Sequence, residues 1–292
     1  MSSKRAGQEA PTVVYPARIL AFRNTLIEAL PRTPNDLRSR RALEAMPTRQ
    51  IILAFVTWGM RTVPIKPRKV AIWSGGVAPD QLRAAAPRLA PLMTKVEAGE
   101  DLNPYLSSEV KTKGIVLAGA KPSDRRGDID MVLTRQGLHH FHVPASGDPE
   151  DRSGPLVFAE VLEDEFRLVA ISDHRAFETG SPEQLRFFGI CQAYMAKDVP
   201  PGQGFMANPV MSSGHSLLVT LFARHCEDAI ERLDPLLEDP AYIDQLYSQE
   251  GKTGPLSRPR HPRLRWHFED TQFGLLEPKA GIFFCFFPFF AR

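Results

Sequence analysis

Three short segments are the main evidence for the fold of this chain: LHHFHV at residues 138–143, LVFAEVL at 156–162 and FRLVAIS at 166–172. They are short extended runs in a chain whose other apolar residues mostly follow helical spacing. A polar loop rich in glycine and proline separates the first run from the second, and a short acidic turn separates the second from the third. Strands separated in this way are typical of an antiparallel meander. We therefore predict such a meander at the centre of the protein.

Helices are predicted on both sides of the meander. Before it, apolar residues recur at helical spacing over 16–30, 35–45 with Asn35 as the cap, 48–63 and 87–98; after it, over 182–195, 217–233 and 241–247. Shorter strands are predicted at 70–73, 114–118 and 129–133, and a final hairpin at 264–268 and 282–287. The order of helical N-terminal region, central antiparallel β-meander, helical segment and C-terminal β-hairpin predicts the α+β class.

Length and composition describe an ordinary globular protein. With 292 residues, 43% hydrophobic and 24% charged, the chain is long enough for one or two domains. We predict a disordered lead-in at 1–14, a basic helical region at 15–100 and an α+β region at 101–292, the last two separate or integrated into one domain. Three widely spaced cysteines argue against a disulfide framework. The start of the chain lacks the apolar core of a signal peptide, which predicts a cytoplasmic protein.

The C-terminal aromatic run FFCFFPFF at 283–290 is too short to cross a bilayer, which takes about 20 apolar residues. We predict no membrane span and interpret the run as a mostly buried strand that frays after Pro288, because proline donates no hydrogen bond to a sheet.

Positive charge is concentrated at the N-terminus. Residues 1–70 contain 13 Lys and Arg against 4 Asp and Glu, although the net charge of the whole chain is only +2. Two interpretations stay open. The basic helices, including Arg40 and Arg41, bind the phosphates of a nucleic acid, or they dock on the acidic remainder of the same chain.

Three histidines in five residues mark the candidate site. If 138–143 is a strand, His140 and His142 lie on one face and His139 lies on the other. His174 ends a neighbouring strand and is predicted to join the first two. Two imidazoles can serve as general base and general acid, which is the chemistry of metal-free RNA cleavage through the 2′-hydroxyl. Nearby arginines are predicted to hold phosphate or stabilise its developing charge: Arg135, Arg152 and Arg175.

Two other interpretations of these residues stay open. The histidines are structural residues of a half-buried sheet face, or they bind a metal with Asp128, Asp130 or Glu160 as a further ligand. In the segment 117–132, Ala118-Gly119-Ala120 is followed by Asp128-Ile129-Asp130, which resembles the nucleotidyltransferase pattern. That resemblance implies Mg²⁺ held by Asp128, Asp130 and a later carboxylate, for which Glu160 is the candidate. It departs from the pattern at Ala120, where that family has serine or glycine.

Two further resemblances involve the central strands. The combination of GEDLNPYLS at 99–107, GLHHFHV at 137–143 and LVFAEV at 156–161 resembles a family of bacterial proteins without a known activity. Residues 135–178 resemble the end of the sheet in RelE-type toxins. The second resemblance implies a barnase/RelE-like antiparallel sheet and endoribonuclease activity, with His140, His142, His174 and Arg175 in the catalytic region. RelE toxins are, however, much shorter single domains.

The sequence therefore predicts a metal-independent endoribonuclease of toxin or defence type that needs no cofactor. Its expected partners are RNA and either a protein partner or an antitoxin. A non-catalytic interaction protein with structural histidines is the alternative, and a Mg²⁺-dependent nucleotidyltransferase-like enzyme is the third hypothesis.

Overall fold

The computed structural model describes residues 14–117, 127–144, 151, 153–251 and 254–288, and they form an α+β protein. Its helices are α1 (Ala17–Ala29), α2 (Leu37–Glu44), α3 (Thr48–Met60), α4 (Pro79–Ala98), α5 (Glu109–Thr112), α6 (Met131–Gln136), α7 (Pro182–Ala196), α8 (Leu217–Leu233) and α9 (Pro240–Tyr247). Its strands are β1 (Lys69–Ile72), β2 (His139–His142), β3 (Leu156–Val161), β4 (Glu165–Ser172), β5 (Glu250–Gly251), β6 (Gly254–Pro255), β7 (Arg265–Glu269), β8 (Gln272–Glu277) and β9 (Ile282–Pro288).

The predicted central meander is confirmed. Strands β2, β3 and β4 pair antiparallel in chain order, with His140 opposite Phe158 and Phe158 opposite Ala170. Strand β1 adds to β4 in parallel, so the strand order is β1-β4-β3-β2. Strand β2, which carries the histidines, is therefore at the edge of this sheet.

Each face of the central sheet packs into its own apolar core, because neighbouring side chains of a strand point to opposite faces. Phe141 and Val157 pack on one face against α4 and the segment that follows it. Leu138 and Phe158 pack on the other face against α7, where the Phe158 and Phe187 ring centroids are 4.1 Å apart. Burying a side chain of this size contributes roughly 1.5–3 kcal/mol, so both faces are held firmly.

The N-terminal helices share a core with the C-terminal part of the chain. Ile27 of α1, Ile52 of α3, Cys226 of α8 and Phe273 of β8 are all buried in one cluster. Residues from the first and last quarters of the chain thus pack together, while α4 packs on the central sheet. The predicted boundary near residue 100 stays a prediction.

Several predicted elements differ from the structure. Residues 129–133 do not form a strand: Asp130 accepts the backbone N–H groups of Val132 and Leu133, both at 3.0 Å, and caps α6. No strand is present at 114–117, and residue 118 lies outside the described residues. Helix α2 is capped by Asp36 rather than Asn35, and α4 begins eight residues before Pro87, which lies inside it.

The C-terminal sheet is a three-stranded meander rather than a hairpin. The two predicted strands are present as β7 and β9, but they do not pair with each other. Strand β8 lies between them and pairs antiparallel with both. Phe284 of β9 is buried, while Phe289 and Phe290 lie outside the described residues. In the described part of the chain, no helix has the length and apolar character needed to cross a membrane.

Much of the basic N-terminal region is engaged by the rest of the chain. Arg18 pairs with Asp234 and Glu238, and Arg49 pairs with Glu227. Lys66 pairs with Glu163 and Asp164. These contacts favour the interpretation that basic helices dock on acidic segments of the same chain, although exposed cations such as Arg41 remain on α2.

Candidate active site

Three imidazoles come together on one face of the central sheet. The ring centroids of His140 and His142 are 5.6 Å apart, and those of His142 and His174 are 5.3 Å apart. We call His140, His142 and His174 the histidine row. His140 and His142 share the face because they are two residues apart in β2. His174 reaches them from the 3₁₀ turn His174–Phe177 that follows β4.

A carboxylate orients the first histidine of the row. His140 Nδ1 lies 3.0 Å from Asp130 Oδ2, and both side chains are about five-sixths buried, with 15% and 16% exposed. The other oxygen of Asp130 accepts the two backbone N–H groups at the start of α6. Burial raises the pKa of Asp130, but the imidazole of His140 and the Leu133 N–H outweigh burial, and the pKa is lowered. Asp130 therefore places a buried carboxylate beside Nδ1 of His140.

An aromatic ring lies beside the row. Phe177 is 43% exposed, although phenylalanine is usually buried. Its ring centroid is 5.4 Å from that of His140 in an edge-on arrangement. The 3₁₀ turn that carries Phe177 is capped by Asp173, whose side chain accepts the N–H of Arg175. The turn thus places an accessible aromatic face next to the imidazoles.

A pocket of about 260 Å³ adjoins the row beside the edge strand β2. It lies between the end of α3, the segment 106–110 and the start of α6. Its polar and aromatic lining includes Arg61, Asp130, His139, His140 and Phe177. His140 belongs to both the pocket and the row. A ligand in the pocket therefore lies beside His140 of the histidine row.

His139 is separated from the row by the alternation of the strand, as predicted. Its Nε2 lies 3.0 Å from the carbonyl oxygen of Met60 at the end of α3. His139 thus ties β2 to α3 and lines the pocket from the other side of the strand.

The predicted arginines do not converge on the row as a group. Arg175 is exposed, and its guanidinium pairs with Asp173 at 2.7 Å. Arg135 is exposed in the last turn of α6. Arg40 pairs with Glu28 and Glu44 on the helical front, where Arg41 is exposed. Arg152 lies outside the described residues. The buried arginine of the pocket is Arg61, which follows the last residue of α3.

The carboxylates of the metal hypothesis are in separate environments. Asp128 accepts the N–H of Val116 at 3.0 Å, and Asp130 faces His140. Glu160 of β3 accepts the hydroxyl of Tyr194 at 2.6 Å. Across the described ranges, no three His, Cys, Asp or Glu side chains are grouped so that they could hold a metal ion. The glycine turn at 118–120 lies outside those ranges. Asp128 and Asp130 also do not lie on a strand, although the nucleotidyltransferase resemblance requires them to.

Compared with protein-family models, with curated proteins and with solved structures, the chain shows no significant match. The resemblance to RelE-type toxins therefore rests on the pattern of residues 135–178 alone.

Proposed function

We propose that the protein is a metal-independent endoribonuclease that uses the histidine row for proton transfer. The observation that carries the proposal is the placement of three imidazoles at successive centroid distances of 5.6 and 5.3 Å, with a buried carboxylate behind the first. Imidazoles gain and lose protons near neutral pH, and clusters of titratable side chains are a feature of functional sites. His174 is exposed, so the row is accessible to a large substrate.

The proposed reaction is attack of the ribose 2′-hydroxyl on the neighbouring phosphorus. His142 takes the proton of the 2′-hydroxyl as its oxygen bonds to phosphorus. The bond from phosphorus to the 5′-oxygen breaks, and His140 donates a proton to that leaving oxygen. The products are a 2′,3′-cyclic phosphate and a free 5′-hydroxyl. We assign the acid role to His140 because its Nδ1 lies 3.0 Å from the buried carboxylate of Asp130.

The surroundings of the row suit a nucleic acid. Unpaired bases stack on exposed aromatic rings in sequence-tolerant binding of single strands, and Phe177 offers such a ring at 5.4 Å from His140. Arg135 and Arg175 are exposed and available for backbone phosphates, although Asp173 offsets the charge of Arg175. A single-stranded RNA is therefore the substrate that we propose.

The test is cleavage of RNA by the purified protein, in parallel with His140→Ala, His142→Ala and the exposed His261→Ala as a matched control. We expect cleavage that survives EDTA, leaves 2′,3′-cyclic phosphate ends and falls by about 10²-fold or more in the first two variants. His261→Ala is expected to match the unmodified protein. Absence of cleavage, or cleavage equal in all four proteins, would show that the row is not a nuclease site.

Exposure of His174 also separates the proposal from the interaction-protein alternative. If all the histidines were structural, we would expect each to be buried with its hydrogen bonds satisfied. That alternative becomes the better explanation if the cleavage experiment is negative.

A further inference from the structure

Three arginines of the described residues are at least nine-tenths buried, and two of them are well satisfied. Arg23, 1% exposed, donates to Thr48 and to the carbonyl oxygens of Glu44 and Met46. Arg68, 6% exposed, donates to the carbonyl oxygens of Leu162, Pro64 and Lys66. Buried charged groups normally have such partners because burial without them is costly.

Arg61 is the exception. It is 5% exposed, yet among the described residues its guanidinium has a single hydrogen-bond partner, the carbonyl oxygen of Lys113, which accepts from Nη1 at 2.7 Å. Its Nε is buried and has no hydrogen-bond partner in that part of the chain. Within the described part of the chain, no carboxylate pairs with it at ion-pair distance. A buried guanidinium with unused donors is poised to bind an anion.

The two carboxylates that line the same pocket are already committed. Asp130 is held by His140 and by two backbone N–H groups. Glu109 pairs with Lys113 at 2.7 Å. These carboxylates and Asp128 favour the charged form of Arg61, but burial outweighs them and lowers the pKa of the guanidinium. Arg61 therefore has carboxylates in its surroundings but, among the described residues, none at ion-pair distance.

The size of the pocket limits the anion. The pocket of about 260 Å³ that Arg61 shares with His140 and Phe177 is large enough for a phosphate group with part of its nucleoside. A second cavity beside Arg61, lined also by Thr57 and Thr134, measures about 10 Å³, about the size of one water molecule. Only the first can admit a phosphate.

We infer that this pocket is a phosphate-binding subsite in which Arg61 binds a phosphate of the RNA adjacent to the scissile bond. The inference rests on the proposed function for the identity of the ligand as a ribonucleotide. Arg61 lies at the end of α3, and His139 fixes that end to β2 through Met60. A phosphate held by Arg61 is therefore positioned relative to His140.

The subsite can be tested without turnover in His142→Ala protein. Calorimetry measures how tightly this protein binds uridine 3′-monophosphate, uridine and inorganic phosphate. We expect the monophosphate to bind at least tenfold more tightly than uridine. Adding Arg61→Met should abolish that preference, and Arg61→Lys should retain part of it. Arg68→Met is the matched control: it removes a buried arginine that is already satisfied, and the preference should persist. Inorganic phosphate that binds but does not compete with the monophosphate would contradict a shared subsite.

A measurement on the intact side chain covers the case in which Arg61→Met does not fold. The Nε–Hε resonance of Arg61 in otherwise unmodified His142→Ala protein should shift when the monophosphate is added. No shift, equal binding of uridine and its monophosphate, or an unchanged preference in folded Arg61→Met would overturn the inference. Arg61-dependent binding without any RNA cleavage would support the subsite and refute the nuclease. Cleavage that depends on the histidines but not on Arg61 would support the nuclease and refute the subsite.

Discussion

At the scale of single residues, the contact between Asp130 and His140 organises the site. One carboxylate both begins α6 and faces the imidazole, so a local capping signal and a catalytic arrangement share the same side chain. The capping role uses Oδ1 and the imidazole contact uses Oδ2. A substitution that keeps the shape but removes the charge can therefore separate the two roles.

We predict that Asp130→Asn lowers RNA cleavage by about 10²-fold while α6 stays intact, because the amide oxygen still caps the helix and no longer supports the imidazolium. Stability should fall by about 1–3 kcal/mol at neutral pH, measured by urea unfolding. The pKa of Asp130 is lower in the folded protein than its unfolded value of about 3.9. Its charge therefore stabilises the fold above that pH, and the benefit is lost as pH falls through the folded pKa.

The difference in free energy of unfolding between the unmodified protein and Asp130→Asn should accordingly become smaller as the pH falls from neutral to strongly acidic. Asp239→Asn is the matched control, because Asp239 also caps a helix, α9, but is exposed and is not part of the histidine site. It should leave RNA cleavage unchanged. If the difference in free energy of unfolding between Asp130→Asn and the unmodified protein stays constant with pH, the pKa of Asp130 is not lowered in the folded protein.

At the scale of elements, the turn between α6 and β2 sets the distance from Asp130 to His140. Helix α6 ends at Gly137, which has φ 71° and donates its N–H to the Leu133 carbonyl oxygen, and β2 begins two residues later. The left-handed conformation suits glycine, since a side chain there costs about 1–2 kcal/mol. A change at Gly137 therefore acts on the angle between the two elements that carry the site.

We expect Gly137→Ala to lose about 1–2 kcal/mol of stability and to reduce RNA cleavage, because relief of the strain moves β2 relative to Asp130. Gly137→Asn should lose less, since asparagine tolerates this conformation better. Gly281→Ala provides the comparison: its φ is 63°, nothing lies near an added Cβ, and it is in the turn between β8 and β9. It should lose similar stability without loss of cleavage. Equal cleavage in the two alanine variants would rule out a role for the turn.

At the scale of the whole molecule, both faces of the central sheet must be covered for the histidine row to keep its shape. The face that carries the row is covered by α7, where Cys191 is buried beside Phe187. Burial raises the pKa of the Cys191 thiol to about 12 and also raises that of Cys226 in the helical core. Cys285 of β9 is exposed.

We predict that one thiol reacts quickly with a disulfide reagent in the native protein and that all three react after unfolding. The fast thiol should disappear in Cys285→Ser, because the thiolate is the reactive form and the other two are buried with raised pKa values. The measurement is the absorbance of the released thiolate over time. If Cys191 reacts as fast as Cys285, α7 does not cover the sheet as described.

Most features that depend on interactions within a single element are predicted correctly from the sequence. Several features that depend on pairing or contacts between elements are not. The meander, the long helices and the shared face of His140 and His142 depend on periodicity along a few residues, and all are confirmed. The sequence predicts a strand at 129–133, where the apolar residues are too few to show a period, and the structure shows instead that Asp130 caps α6. Strand β8 was missed because the hairpin prediction left residues 272–277 unassigned, and only pairing with β7 and β9 defines it.

The α+β class, the central meander and the position of the histidine pair follow from the amino-acid sequence alone, because alternation and helical spacing act within single elements. Which groups meet the histidines depends on contacts between elements. His174 joins the row through the turn after β4, Asp130 through the cap of α6, and Arg61 through the packing of α3 beside β2. Each of these contacts joins segments that are far apart in the chain or separated by a turn. The packing that brings them together, and that buries Arg61 with no carboxylate at ion-pair distance in the described part of the chain, has no local signature in the sequence.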